Sequence, residues 1–183
     1  MKLNLGCGHE RLAGYLNVDK FAEPELRVDL EVFPWPWASD SVDEVRLHHV
    51  LEHLGQSSEV YLGVMKELYR VCRADARIAI TVPHPRHDDF LIDPTHVRPI
   101  LAQSFQLFSK RKCLDWQARG ISNTPLALYL GVDFEVERVA QTPDPQWVAQ
   151  LQAGKVTLAE LEVMAQQINN VLKQTDVTLR VVK

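Results

Sequence analysis

Leu3-Asn4-Leu5-Gly6-Cys7-Gly8, followed by Leu16-Asn17-Val18-Asp19, is the stretch on which the fold turns. Lys2 to Leu5 is a short apolar run broken by a glycine pair, and Tyr15 to Val18 is a second extended segment closed by an aspartate. Two strand ends therefore fall close together. Gly6 and Gly8 carry no Cβ, so backbone there can approach a bulky ligand where other residues would clash. Asp19, at the end of the second strand, offers a carboxylate able to accept from two ribose hydroxyls, or else to cap a turn. The dinucleotide fingerprint G-x-G-x-x-G would require glycine at position 11, where Arg11 stands. Ten residues, 9–18, separate Gly8 from Asp19. With four of them in the strand, about one helical turn is left, so an abbreviated first crossover is expected.

Working outward, Leu26 to Leu30 reads as a third strand, and Val42 to Leu47 follows the turn Phe33-Pro34-Trp35-Pro36-Trp37 as a fourth. Trp35 and Trp37 suit either a core position or a purine wall. Val60, Val64, Leu68 and Val71 recur at helical spacing between Ser58 and Arg73, with Ser57 or Ser58 as cap. Arg77 to Val82 has the nearly continuous apolar character of a strand covered on both faces, and Pro83 ends it. Four prolines and three histidines between Pro83 and Pro99 mark an irregular loop, followed by helical segments between Leu101 and Arg119. Phe134 to Val139 reads as a strand. Thr157-Leu158-Ala159-Glu160 has the form of a capping box, and a helical stripe runs from Leu158 to Leu172 before a last strand, Val177 to Val182. Alternation of this kind predicts an α/β fold: a Rossmann-like, mainly parallel seven-stranded sheet with helices on both faces and an antiparallel C-terminal strand. One domain, 1–183, is expected, with 83–125 on the substrate side. The residues that follow the strands should meet in one crevice at their carboxyl ends.

Composition narrows the classes. The 183 residues are 46% hydrophobic and 24% charged, as in an ordinary globular domain, which argues against extended disorder. A net charge of -4 gives no surplus for gripping phosphates, so stable nucleic-acid binding is not expected, and Lys110-Arg111-Lys112 reads as a solvated helix end. Cys7, Cys72 and Cys113 are odd in number and form no close pair, which points to a reducing cytoplasm rather than a disulfide framework. No apolar run is long enough to span a bilayer. Periodicity leaves monomer and homodimer open.

The blocks already quoted, with Asp29-Leu30, Ser41-Val42-Asp43-Glu44-Val45 to His49-Val50-Leu51-Glu52-His53, and Leu68-Tyr69-Arg70-Val71-Cys72-Arg73 before Ile78-Ala79-Ile80-Thr81-Val82-Pro83, resemble class I S-adenosylmethionine-dependent methyltransferases. Compact bacterial and phage members are the most similar, and the matching blocks cover the first half of the chain. The resemblance implies that S-adenosyl-L-methionine is the cofactor. It also implies that Gly6, Cys7 and Gly8 wrap its methionine part, that Asp19 holds the ribose, that Asp29 and Leu30 border the adenine, and that His48 lies near the sulfonium. Asn4 stands where the family often has an acid, beside the methionine ammonium. The implied reaction is methyl transfer to an oxygen or nitrogen of a small-molecule or glycan-type acceptor.

The loop after the fifth strand holds His84, His87, Asp88, Asp89, Asp93 and His96; His84 and His96 are the candidate general bases. A non-catalytic module that binds the cofactor is an alternative reading. Another is a zinc hydrolase, since His49-Val50-Leu51-Glu52-His53 matches H-x-x-E-H, in which two histidines on one helix face hold the metal. The methyltransferase reading assigns no metal ligands.

Overall fold

Seven strands form one sheet in the computed structural model, which describes residues 1–183. They are β1 (Lys2–Leu5), β2 (Leu16–Asp19), β3 (Leu26–Arg27), β4 (Val42–His48), β5 (Cys72–Pro83), β6 (Phe134–Pro143) and β7 (Leu172–Val181), in the spatial order β3-β2-β1-β4-β5-β7-β6. The strands from β1 to β5 pair in parallel, and β7 inserts antiparallel between β5 and β6. This is the expected Rossmann-like α/β sheet. Strand order reverses between β1 and β4, which opens a crevice above their carboxyl ends.

Layering departs from the expectation. Register aligns Leu3, Val45, Ile78 and Leu179 in one row across four strands, and all four are fully buried. The adjacent row is Lys2, Glu44, Arg77 and Arg180, none of which is buried. Along β5, Arg77 and Ala79 are exposed while Ile78 and Ile80 are buried, so this strand is covered on one face, not two. The helix Ser58–Val71 and the segments between β5 and β6 pack on the apolar face; the other face carries charge pairs, among them Lys2–Glu44 at 2.7 Å, Arg77–Glu137 at 2.9 Å and Arg180–Glu137 at 3.2 Å. The abbreviated first crossover is the reason. Instead of a helix it lays the loop of residues 9–12 over β1 and β2, where a buried amide pair holds it: Asn4 Nδ2 donates to Asn17 Oδ1 (2.9 Å) and to the Glu10 carbonyl (2.8 Å).

On the apolar face, α1 (Ser58–Val71) is capped by the Ser57 hydroxyl, which accepts from Val60 N at 3.2 Å. Its Val64, Met65 and Leu68 are buried in the main core, as is Val71, beyond which the chain turns directly into β5. Between β5 and β6 come α2 (Asp88–Leu91), a 3-10 segment (Ala102–Phe108), α3 (Lys110–Ala118) and α4 (Leu126–Leu130). Phe105 and Phe108 anchor this stretch in the core. The Lys110-Arg111-Lys112 run is the start of α3. Beyond β6, α5 (Pro145–Gln152), unmarked by any periodic stripe, precedes α6 (Leu158–Met164), whose Thr157–Glu160 capping box forms as expected. The helical stripe predicted as far as Leu172 stops at Met164, because Leu172 pairs with Pro143 as the first residue of β7. Leu161, Ala165, Val171 and Leu172 make a small separate core there.

Trp35 and Trp37 belong to the core, edge-to-face with centroids 5.9 Å apart. Their backbone is tied to α1 by an ion pair. Glu67 Oε2 accepts from Trp35 N (2.6 Å) and Arg70 Nη2 (2.7 Å), while Arg70 donates onward to the Trp35 and Trp37 carbonyls at 3.0 and 2.8 Å. Trp35 Nε1 in turn holds the Leu30 carbonyl at 3.1 Å. The Arg70 guanidinium, against the cost of burial, keeps the Glu67 carboxyl below its ordinary range. Replacing Arg70 by Ala leaves Glu67 and two carbonyls without their donor and should cost about 2–4 kcal/mol in denaturant unfolding. Because the folded-state pKa of Glu67 is lowered, the pair's contribution is present above the unfolded glutamate pKa and lost as pH falls through the lower folded value. The wild-type advantage over Arg70→Ala should therefore shrink on acidification below the ordinary glutamate range; an advantage constant with pH would remove the ion pair from the account.

Candidate functional site

The loop after β1 begins with Gly6 at φ 65° and Gly8 at φ 50°, a left-handed backbone that L side chains rarely adopt. A Cβ on Gly6 would stand 2.4 Å from Val50 Cγ2, so glycine lets the loop lie flat against the segment that follows β4. Asp19 closes the loop from β2. Its Oδ2 accepts from Gly8 N at 2.8 Å, and its Oδ1 from Phe21 N and Ala22 N at 2.7 and 3.1 Å. Burial opposes the charge, but the backbone donors of Phe21, Gly8, Ala22 and Lys20 outweigh it and hold the carboxyl below the usual range.

A cavity of about 450 Å³ opens above this clamp. Its floor includes Gly6 and Val50, Asp19 and Asp29 stand at one wall, and Val28 and Leu30 provide an apolar surface. Asp29 is oriented by Lys20, whose Nζ is 2.6 Å from Oδ2 and whose hydrogen bond lowers the Asp29 pKa against the effect of burial. His49, His53 and Thr95, from the segments that follow β4 and β5, complete the lining. A smaller groove of about 330 Å³, lined by Gly8, Arg11 and Ala22 among others, adjoins it, with Phe21 common to both.

Of the residues expected from the sequence, the structure thus brings Gly6, Asp19, Asp29 and Leu30 to one cavity and puts Gly8 in the adjoining groove. Cys7 is buried under the loop, its N–H donating to the Val18 carbonyl at 3.0 Å. Asn4 lies outside the cavity: its amide is spent on Asn17 and Glu10, so its role is to hold the loop. His48 is outside it too. In register with Thr81 and Asp176 it sits on the polar face, with Nδ1 3.1 Å from Glu10 Oε2. The next residue, His49, has φ 53° and lines the cavity instead. Strand alternation separates the two histidines; the sequence does not show on which one the strand ends.

The two candidate bases also lie outside the cavity lining. His84 is buried, its Nδ1 accepts from Arg86 N at 3.3 Å, and burial with Arg86 nearby lowers its pKa, keeping it neutral. His96 packs edge-on against His53 with centroids 4.5 Å apart, so it stands one residue behind the wall. His49 and His53 do not share a helix face, because only a single 3-10 turn, Leu51–His53, forms after β4. His49 and His53, which the sequence singles out only through the H-x-x-E-H pattern, line the cavity, and Val50, Phe21 and Thr95 have no role there assigned from the sequence; only the chemistry-rich composition of the loop after β5 hints at the last.

No family model and no curated protein sequence matches the chain. Solved structures do. A SAM-dependent methyltransferase from Archaeoglobus fulgidus superposes with a TM-score of 0.59 at 19% identity, covering 98% of this chain and 85% of its own. The 1,6-didemethyltoxoflavin-N1-methyltransferase of Burkholderia thailandensis, solved with bound 1,6-didemethyltoxoflavin and S-adenosylhomocysteine, gives a TM-score of 0.54 at 13% identity, covering 100% of this chain and 71% of its own. The cyclase SpnF gives 0.51 at 15% identity, covering 99% and 75%. The chain has the fold of class I SAM-dependent methyltransferases.

The Gly6–Val50 contact gives a direct test of the loop. Gly6→Ala should destabilise the protein by about 1–3 kcal/mol through overpacking and left-handed strain. Adding Val50→Ala to that variant should recover part of the loss in denaturant unfolding. Two substitutions that simply add would show that the contact does not shape the loop.

Proposed function

We propose that this protein transfers a methyl group from S-adenosyl-L-methionine to an oxygen or nitrogen of a small-molecule or glycan-type acceptor. The observation that carries the reading is the convergence of Gly6, Asp19, Asp29 and Leu30 on one cavity at the β1/β4 switch point. Those residue types fit the cofactor. The cavity volume of about 450 Å³ is in the range of small-molecule sites, about 300–1,000 Å³. Asp19 Oδ2 accepts a single protein hydrogen bond, leaving capacity for a ribose hydroxyl. Asp29 can accept from an exocyclic amine, and Val28 and Leu30 offer a purine its apolar surface. The fold alone would not decide, since a cyclase shares it.

The cofactor, when bound, supplies an activated methyl on a sulfonium. What the chain supplies is placement: the Gly6–Gly8 backbone and the Asp19 clamp fix one reactant, and the wall of His49, His53 and Thr95 borders the space left for the other. His49 is exposed and lines the cavity. The Glu52 carboxylate, 3.3 Å from its Nδ1, raises its pKa against the effect of burial. A base is required only where the acceptor atom holds a proton of high pKa. No helix is long and apolar enough to cross a membrane, and the unpaired Cys7, Cys72 and Cys113 support a cytoplasmic setting.

Calorimetric titration should show binding of S-adenosylmethionine and S-adenosylhomocysteine but not of NAD. Asp19→Asn, which keeps the shape of the side chain and removes its charge, should weaken both by about 10–100-fold. Absence of binding to either sulfur compound would overturn the proposal, and an unchanged affinity in the variant would take Asp19 out of the site.

A further inference from the structure

Three metal-ligating side chains from two separate segments converge behind the cavity wall. Glu52 and His53 belong to the 3-10 turn after β4, and His96 to the loop after α2; one donor atom from each lies within 4.8 Å of the other two. Glu52 is fully buried, and neither of its carboxylate oxygens has a hydrogen-bond partner. A buried carboxylate without an aligned hydrogen-bond donor is rare. His49 Nδ1 is 3.3 Å away but not aligned as a hydrogen-bond donor. The Arg98 guanidinium lies over the Tyr61 ring at 4.5 Å and donates from Nη2 to the Gly55 carbonyl at 2.9 Å; its buried Nε has no partner, yet it makes no ion pair with Glu52.

The surrounding hydrogen bonds fix which imidazole nitrogens are bare. The Thr95 hydroxyl has one proton and gives it to Asp93 Oδ1 at 2.7 Å, so it must accept from His53 Nδ1 at 2.9 Å. His96 Nδ1 faces the Phe90 carbonyl at 2.9 Å, which can only accept. Both rings therefore hold their proton on Nδ1. That leaves the Nε2 lone pairs of the neutral rings free; the nearest carboxylate to His96 Nε2, that of Asp93, is 3.8 Å away, beyond hydrogen-bond reach. A pinned Nδ1–H with a free Nε2 is how a ligating histidine is presented.

We infer that Glu52, His53 and His96 bind one divalent transition-metal ion, of the zinc or manganese type, through two imidazole nitrogens and a carboxylate. Ligand atoms at about 2.0–2.2 Å from an ion stand about 3.4 Å apart in a tetrahedron, so side-chain adjustments of about 1 Å close the set. Three protein ligands leave at least one coordination position open. Since His53 and Thr95 line the cavity, the ion site borders the space assigned to the acceptor. An acceptor that offers an oxygen to the ion is then the matching class, a step that rests on the methyl-transfer reading; the binding of the ion does not. This set differs from the H-x-x-E-H reading, with His96 in the place of His49.

The test uses tag-free protein stripped with a chelator and titrated with Mn2+, Zn2+ and Co2+. One ion per chain is expected, with a cobalt spectrum free of a thiolate charge-transfer band. Glu52→Gln and His96→Ala should each raise the Kd at least about 10–100-fold, while circular dichroism and S-adenosylhomocysteine binding stay as in the wild type. Glu52→Gln is isosteric, so it tests the ligand even where His96→Ala perturbs the loop. Absence of ion binding, an affinity unchanged in Glu52→Gln, or a thiolate band pointing to the cysteines would each overturn the inference. Loss of S-adenosylhomocysteine binding in the wild type would sink the methyl-transfer reading and leave the ion site standing.

Discussion

The buried amide pair of Asn4 and Asn17 lets so short a connection join the first two strands. A helical crossover covers a sheet face with apolar side chains, whereas a ten-residue link can only lay a loop there, and a loop brings backbone polar groups that must be satisfied. The Asn4–Asn17 pair meets that demand from inside: Asn17 Oδ1 also accepts from Leu12 N at 2.8 Å, and Asn17 Nδ2 reaches Glu25 Oε1 at 3.1 Å. With the loop pinned from below, Gly6 and Gly8 can take left-handed backbone above it, and Gly8 N can reach Asp19. The geometry of the cavity floor follows from those contacts.

The same economy explains the unequal faces of the sheet. One face is filled by α1 and the segments between β5 and β6; the other is polar enough to meet water, with ion pairs spaced along β1, β4, β5 and β7. Surface pairs of this kind add little stability each. Their effect is to keep that face compatible with solvent, so the apolar core of Leu3, Val45, Ile78 and Leu179 carries the burial energy. The Glu67–Arg70 pair then couples α1 to the Trp35 segment, and Trp35 to Leu30, so a cavity wall is held from the core rather than by the exposed strand β3.

Two kinds of order meet at the cavity. The half formed by β1 to β3 is built from backbone donors and carboxylates and suits a ligand rich in hydroxyl and amino groups. The half beyond β4 is built from imidazoles, a threonine and a buried carboxylate, brought together because the Val97 and Arg98 backbone amides donate to the Glu52 carbonyl at 2.9 and 3.2 Å. That pair of hydrogen bonds docks the long loop after β5 against the turn after β4. It is also what sets His96 beside His53.

The sequence by itself determined what local pattern can carry: glycines where backbone must turn left-handed, an aspartate at the end of β2, the periodic face of α1, the capping box of α6, and the alternation that yields a mainly parallel sheet. Tertiary structure alone decided the rest, and for identifiable reasons. Side chains alternate along a strand, so the one-residue difference that puts His49 in the cavity and His48 on the polar face depends on where β4 ends. Leu172 satisfies both a helical and an extended spacing until pairing with β6 selects the second. Asn4 reads as a weakened cofactor ligand until its partner Asn17 is seen beside it. The meeting of Glu52 and His53 with His96 joins positions far apart in the chain through backbone hydrogen bonds, which leave no mark on residue type.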